Sequence, residues 1–374
     1  MSNSIVKLAT VQFDSIDPDK TLPAKFKRLL STINLKKMVK NKVVALKMHL
    51  GGSLGYTTIP PLFVKILVEK IKENGGDVFI TDLFLIDRKD FGVNQSKNRG
   101  YSEDIVGAPI IPVSGFFDKY YYSKPVNFKT LKEIQIAGHI HDAEVLINFS
   151  HFKGHGVSSF GGAIKNLAMG CVTKKTRQDL HFLHSGGSGI KWDEKLCNHC
   201  KKCIQECRYK ANKFNKDNKY EIMLHNCTYC LHCVEICPNN ALSFLESEKF
   251  YLDFQKGMAI SAQEVLKTFK PQNVYHINAL LNITFICDCW GMSTPPLIQD
   301  IGIVASNDIV SVEKASLDII KDKDVLPNSI PSGWVLREGR HLFEKVWGKD
   351  PYLQLQPLIE ENIGNVNYEI EEIK

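Results

Sequence analysis

A chain of 374 residues with 44% hydrophobic and 24% charged side chains has ordinary globular usage, enough for a large core and a smaller module. Its formal charge of +6 is carried by dispersed lysines rather than by a basic stripe interleaved with aromatics, so nucleic acid is not an expected partner. Residues 1–30 hold no apolar run of signal-peptide character, and no stretch approaches the roughly 20 apolar residues of a membrane helix, so a soluble, cytoplasmic protein without a membrane partner is expected.

The run KVVALKMHLGG (42–52) predicts a buried strand. IPPLFVKILVEKIKENGG (59–76) predicts an amphipathic helix with Pro60 and Pro61 near its start and glycines at its end, and DVFITD (77–82) a second strand, completing a βαβ unit. Farther on, LKEIQIAGHI precedes the apolar strand AEVLINFS (143–150), and the Gly-rich run GVSSFGGAIKNLAMGC leads into a helix. NITFICDC (282–289) reads as a strand, and DIGIVASND followed by IVSVEKASLDII (309–320) as another strand and helix. Asp300 and Asp308 bracket that strand, and Asp308 reads as the helix N-cap. The glutamate-rich tail after Asn367 is expected to be solvated. Alternating strand and helix of this kind predict an α/β fold with a mainly parallel sheet.

Between residues 191 and 246 the pattern lapses, spacings shorten and cysteines crowd together. The 11 cysteines are an odd number, and eight lie between Cys197 and Cys237, which favours metal ligation in a reducing compartment over a disulfide framework. The expected organisation is an α/β domain of residues 1–190 and 247–374 with an inserted module at 191–246, as surface-loop insertion allows. Within the insert, KFNKDNKYEIM has the polar turn and apolar flanks of a hairpin.

Cys197, Cys200, Cys203 and Cys207 form C-x2-C-x2-C-x3-C, and Cys227, Cys230, Cys233 and Cys237 repeat it, followed by Pro238. In this pattern three close thiolates wrap one 4Fe–4S cluster while the fourth cysteine reaches the other. Cys197, Cys200, Cys203 and Cys237 are therefore assigned to one cluster, and Cys227, Cys230, Cys233 and Cys207 to the second. Structural zinc wants four tetrahedral ligands, not two interlocked sets of this spacing. Two oxidised clusters with their thiolates add about −4, bringing the working charge to about +2. The pattern resembles the bacterial two-cluster ferredoxin, except that Arg208 replaces the proline after Cys207, which predicts a raised potential for the cluster Cys207 joins.

Outside the insert, ALKMHLGG, NFSHFKGHGVSSFGGAIKNLAMGC and CDCWGMSTPPLIQDIGIVASNDIVSVEKASLDII resemble the iron–sulfur centre proteins grouped as domain of unknown function 362. The resemblance covers most of residues 40–325, departs between Leu83 and Tyr101, and implies a redox or metal-dependent role. The run Gly161-Gly162-x-x-Lys165 is also similar to one in nickel-dependent lactate racemases, whose lysine holds a nickel-pincer nucleotide. Small residues before a helix equally suit close packing or phosphate binding.

Three cysteines remain: Cys171, Cys287 and Cys289. In a strand, Cys287 and Cys289 would share one face, with Asp288 on the other, and two such thiols could hold a soft metal or an organic cofactor. His151 and His155 flank Lys153 and Gly154 beyond a strand's carboxyl end, where open α/β sheets bind ligands, and His49 ends an earlier strand. Lys165 is a candidate anion-binding or covalent lysine. His181 and His184 follow the same loop region and could serve as ligands or acid–base groups, but read first as solvated surface residues, and His139 and His141, at the opposite end of their strand, read as structural.

These residues predict a redox enzyme in which two clusters carry electrons between a partner protein and a site near His151, His155, Lys165, Cys287 and Cys289, acting on a small molecule. Two competing readings are an electron carrier or metallocluster-assembly protein, and a metal-dependent isomerase or transferase with structural clusters.

Overall fold

The structure, a computed structural model, describes residues 3–51, 55–84, 96–185, 189–207, 209–223, 227, 232–245, 247–322, 325–332, 334 and 336–374. Cys230 and Arg208 lie outside the described residues, as does most of the stretch between Leu83 and Tyr101 where the family pattern departs.

One sheet organises the chain. Its strands are β1 (Ser4–Thr10), β2 (Val43–Lys47), β3 (Asp77–Asp82), β4 (Ile110–Pro112), β5 (Val145–His151), β6 (Val274–Leu280), β7 (Gly302–Ser306) and β8 (Tyr368–Glu372), in the order β8-β1-β7-β6-β5-β2-β3-β4. Five of the seven pairings are parallel, and only β7 runs against its neighbours β1 and β6. The expected mainly parallel α/β sheet is thus present. Every residue of β5, β6 and β7 is buried, as a sheet covered on both faces requires.

Alternation along the strands sorts the core into two layers. Val44, Leu46, Val145, Ile147, Phe149, Ile277 and Ala279 face α1 (Leu22–Thr32) and α2 (Pro61–Glu73). Ala45, Leu146 and Val304 face α3 (Ala163–Gly170), α4 (Lys174–Ser185), α5 (Ser247–Leu266) and α6 (Ile309–Ile319). Helix α2 starts with proline at its first position, buries Val64, Leu67, Val68 and Ile71, and ends before Gly75 in the left-handed region (φ 82°). At α6, Asp308 accepts hydrogen bonds from the Val310 and Ser311 N–H groups at 2.9 Å, the expected N-cap. No helix among the described residues is long and apolar enough to cross a membrane.

Between Gly189 and Leu245 the described chain adds no strand to this sheet. It forms two antiparallel pairs of its own, Gly189–Trp192 with Leu242–Leu245 and Asn212–Phe214 with Tyr220–Ile222. The second is the hairpin read from KFNKDNKYEIM, its turn held by Asn215 Oδ1 accepting from the Asp217 and Lys219 N–H groups at 2.9 Å.

Two expectations are corrected. NITFICDC is not a strand: the strand is the preceding VYHINAL, and it stops where Asn282 turns to φ 49°, a conformation asparagine tolerates, its N–H bonded to Asp300 Oδ1 at 2.6 Å. The tail after Asn367 is not simply solvated, because β8 adds a parallel edge strand to β1, supported by a Lys7–Glu371 ion pair at 2.7 Å and by buried Ile373. Its side chains from Glu369 to Glu372 nonetheless stay exposed, as an edge strand allows.

Candidate functional site

The carboxyl ends of β2, β3 and β5 deliver Lys47, Asp82 and His151 to one cavity of about 540 Å³. Crevices at this end of a parallel sheet are where such folds bind ligands. The far walls come from the Gly161-Gly162 loop, from α3 through Lys165, from α4, and from the turn carrying Cys289.

Cys287 and Cys289 meet through that turn rather than through strand alternation. Cys287 caps the short helical turn Asp288–Trp290, its Sγ accepting the Cys289 N–H at 3.4 Å. The donor atoms of His155, Cys287 and Cys289 lie within 4.8 Å of one another, close enough to hold one metal ion at bond lengths of about 2.0–2.3 Å. Two sulfurs and a nitrogen suit a soft or borderline metal. His155 Nδ1 accepts from the Val157 and Ser158 N–H groups at 3.2 and 3.0 Å, which puts the neutral ring's proton on Nε2. Ligating histidines ordinarily donate from their remote nitrogen, so the two thiols are the readier ligands.

Lys165 Nζ reaches Cys287 Sγ at 3.6 Å. Burial alone would raise the Cys287 thiol, but the Cys289 thiol bonded to it and the Lys165 and Lys153 charges hold it well below its usual range. Lys165 responds in the opposite sense: burial pulls it down, and the two cysteines outweigh that and push it up. Cys289 is pushed the other way, up, by its bond to the Cys287 sulfur and by burial, so the neighbouring lysine charges favour the thiolate form at Cys287. Cys171, by contrast, sits apart, and burial pushes its thiol up to about 12.

Asp288 points inward, fully buried. Its Oδ2 accepts from His151 Nδ1 at 2.7 Å and faces Lys153 Nζ at 3.3 Å, while His151 Nε2 donates to the Leu281 carbonyl at 2.8 Å. Both His151 nitrogens are thus engaged, so His151 orients the turn between the two cysteines while His155 meets their sulfurs. Elsewhere on the cavity lining Asp82 plays a similar part, pairing with buried Lys47 at 2.9 Å and with His49 Nδ1 at 2.8 Å. Burial would raise Asp82, and Lys47 and His49 overcome it. Lys47 also donates to Asn166 Oδ1 at 2.6 Å, and Asn166 donates to Asn148 Oδ1 at 2.7 Å.

Beneath the glycine loop lies Glu313, wholly buried, its Oε1 accepting the Ile164 N–H at 2.9 Å at the start of α3. A Cβ on Gly162 would stand 2.5 Å from Oε2, so glycine is required there by close approach. Burial pushes the Glu313 carboxyl up from 4.5 to about 8, against the opposing pull of the Ile164 and Ala163 N–H groups and Lys153. A carboxyl raised on folding stabilises fully below its unfolded pKa and loses that contribution as pH rises through about 8. Glu313→Gln is expected to resemble the parent at pH 5 and to exceed it by a few kcal/mol, about 1.4 per pKa unit, at pH 8.5 in urea unfolding. A stability difference that does not vary with pH would contradict this assignment.

Cys197, Cys200, Cys203 and Cys237 line one small cavity with Trp192, Phe214 and Tyr220. Cys197 Sγ accepts the His199 N–H at 3.4 Å, and Cys207 Sγ accepts the Ala211 N–H at 3.2 Å. Cys227 and Cys233 are buried, and none of the ten described cysteines is in a disulfide. Buried Lys349 donates to the carbonyls of Cys227 at 3.3 Å and of Gly156, next to His155, at 2.6 Å. The cysteine-rich segment is thereby tied to the wall of the larger cavity.

Other sequence readings need correction or extension. His181 and His184 are not solvated surface groups: His184 is buried, the rings bond to each other at 2.9 Å, and both pack on Phe254. His139 packs edge-on against Tyr120 and His141 stacks on Tyr122, contacts that suit the structural reading. Lys47, Asp82, Asp288, Glu313 and Arg177 were not singled out from sequence. A lysine inside an apolar strand and an aspartate closing one were the available signals, because a charge in a buried strand needs a partner.

The family model "Domain of unknown function (DUF362)" matches residues 44–318, most of the chain. The chain belongs to the DUF362 family. The DUF362 match spans both cysteine sets and every wall of the cavity. No curated protein matches this chain. Among solved structures it is similar to the lactate racemase apoprotein from Thermoanaerobacterium thermosaccharolyticum, at 11% identity over 99% of this chain and 82% of that one, with a TM-score of 0.36.

Proposed function

We propose that this DUF362 protein is an iron–sulfur redox enzyme. Residues 191–246 form an inserted two-cluster module in the α/β domain of 1–190 and 247–374, and electrons pass between a partner protein and the cavity. The observation that carries the reading is the meeting of Cys237 with Cys197, Cys200 and Cys203 around one cavity, the crossed ligand set of a two-cluster module. Cys227, Cys233 and Cys207, with Cys230, would hold the second cluster. The aromatic wall and the N–H groups aimed at Cys197 and Cys207 fit thiolates that ligate iron. Bound clusters supply one-electron transfer.

The chain's own residues do the rest. Lys349 holds the Cys227 segment against the loop of His155, which keeps the route between module and cavity short. Cys287 and Cys289, with His155 beside them, would hold a metal or an organic cofactor, and Lys165 favours the thiolate form of Cys287. The buried Asp288, His151 and Lys153 fix the turn that presents both sulfurs. Eight cysteines crowded between Cys197 and Cys237 as cluster ligands would suit a reducing, cytoplasmic setting.

Anaerobic reconstitution of the full chain is expected to give about eight iron and about eight acid-labile sulfide per chain. Stoichiometric zinc without sulfide would overturn the proposal. The sulfur–nitrogen set also favours a second reading, a metal-dependent isomerase or transferase with structural clusters. Clusters that stay unreduced throughout turnover would select it.

A further inference from the structure

We infer that the cavity binds a small organic anion, with its carboxylate or phosphate held by Arg177 and Lys174 and its hydroxyl or amine hydrogen-bonded to His49. The inference rests on the reading above in one respect, that this cavity is the reaction chamber. Five lysine and arginine side chains line it: Lys47, Lys153, Lys165, Lys174 and Arg177. Lys47 is matched by Asp82 at 2.9 Å, Lys153 by Asp288 at 3.3 Å, and Lys165 by the Cys287 sulfur at 3.6 Å. Asp82, the one carboxylate among the described lining residues, is already committed to Lys47, to His49 and to the Leu50 N–H at 2.9 Å.

Lys174 and Arg177 have no ion-pair partner among the described residues. With Gln178 they stand at i, i+3 and i+4 of α4, one helical face turned to the cavity. That face therefore presents two uncompensated positive charges and an amide where a ligand would enter. An arginine fork beside a lysine suits the paired oxygens of a carboxylate or phosphate. At about 540 Å³ the cavity has room for more than an inorganic ion.

A second contact comes from His49, which lines the same cavity. Asp82 holds its Nδ1–H, which places the lone pair of the neutral ring on Nε2, a buried atom with no hydrogen-bond partner among the described residues. A buried acceptor left without a donor is costly, and a ligand hydroxyl or amine would satisfy it.

Calorimetric titration of the anaerobically reconstituted full chain with glycolate, acetate and inorganic phosphate at low ionic strength tests this, with iron and sulfide measured on each sample. One-to-one binding of glycolate or phosphate with a Kd of about 1 mM or tighter is expected. Arg177→Gln should weaken it about tenfold or more, while Lys37→Gln, an exposed control of equal charge change, should not. Preference for glycolate over phosphate identifies a carboxylate ligand, and the reverse a phosphate. His49→Gln should reduce the advantage of glycolate over acetate. No saturable binding of any probe, or equal loss in the Arg177 and Lys37 variants, overturns the inference. Because iron and sulfide are read separately, a missing cluster and a missing anion site are told apart.

Discussion

Asp288→Asn is expected to cost about 3–5 kcal/mol of folding stability, since it removes the carboxylate that compensates the buried Lys153 ammonium and accepts from buried His151. His151 and Lys153 both converge on Asp288 Oδ2, at 2.7 and 3.3 Å, and all three side chains are at most 5% exposed. An uncompensated charge at this depth is far more costly than a surface pair is stabilising. Burial alone would raise the Asp288 carboxyl, but His151 and Lys153 hold it well below the usual carboxylate range. Its contribution is therefore present above about pH 4 and lost as pH falls toward its lower folded value. Urea unfolding of Asp288→Asn should show the loss at pH 7 and a flatter acid limb. The double variant Asp288→Asn with Lys153→Met should recover part of the loss, because the pair couples through direct contact. A single-variant cost below about 1 kcal/mol would show that Lys153 finds other compensation.

The second large effect concerns the crossed cysteines. Cys237→Ser should lower reconstituted iron from about eight to about four per chain, because Cys237 shares its cavity with Cys197, Cys200 and Cys203. Pairing is read from double variants. Adding Cys200→Ser to Cys237→Ser should remove no further iron, since both changes strike one cluster. Adding Cys230→Ser should remove nearly all of it. The opposite pattern, with the Cys230 double variant keeping about four iron, would mean that each cluster is built from one uninterrupted motif.

Much of the architecture could be read from the chain because local physics and fold agree there. Residues 42–82 alternate apolar strand, amphipathic helix and strand, and they fold as β2, α2 and β3 with parallel pairing. AEVLINFS is apolar throughout because β5 is covered on both faces. Asp308 announces α6 by the capping chemistry of its own side chain. The run VYHINALLNITFIC could not be divided in this way. All of it is β-prone, and the break at Asn282 is held by Asp300 from a separate segment.

The site divides along the same line. Sequence by itself determined the duplicated cysteine spacing, the histidines beyond β5 and the candidacy of Lys165, Cys287 and Cys289, since each depends on neighbours within a few residues. Only the tertiary structure decided that a turn rather than a strand pairs the two sulfurs, that Asp288 faces His151, and that Asp82 joins Lys47 to His49. It alone brought Lys174 and Arg177 to the cavity that Lys47, His49 and Asp82 also line. Charge compensation is the reason. A buried cation needs an anion within a few ångströms in space, whatever their separation in the chain, so no local pattern records which aspartate answers which lysine.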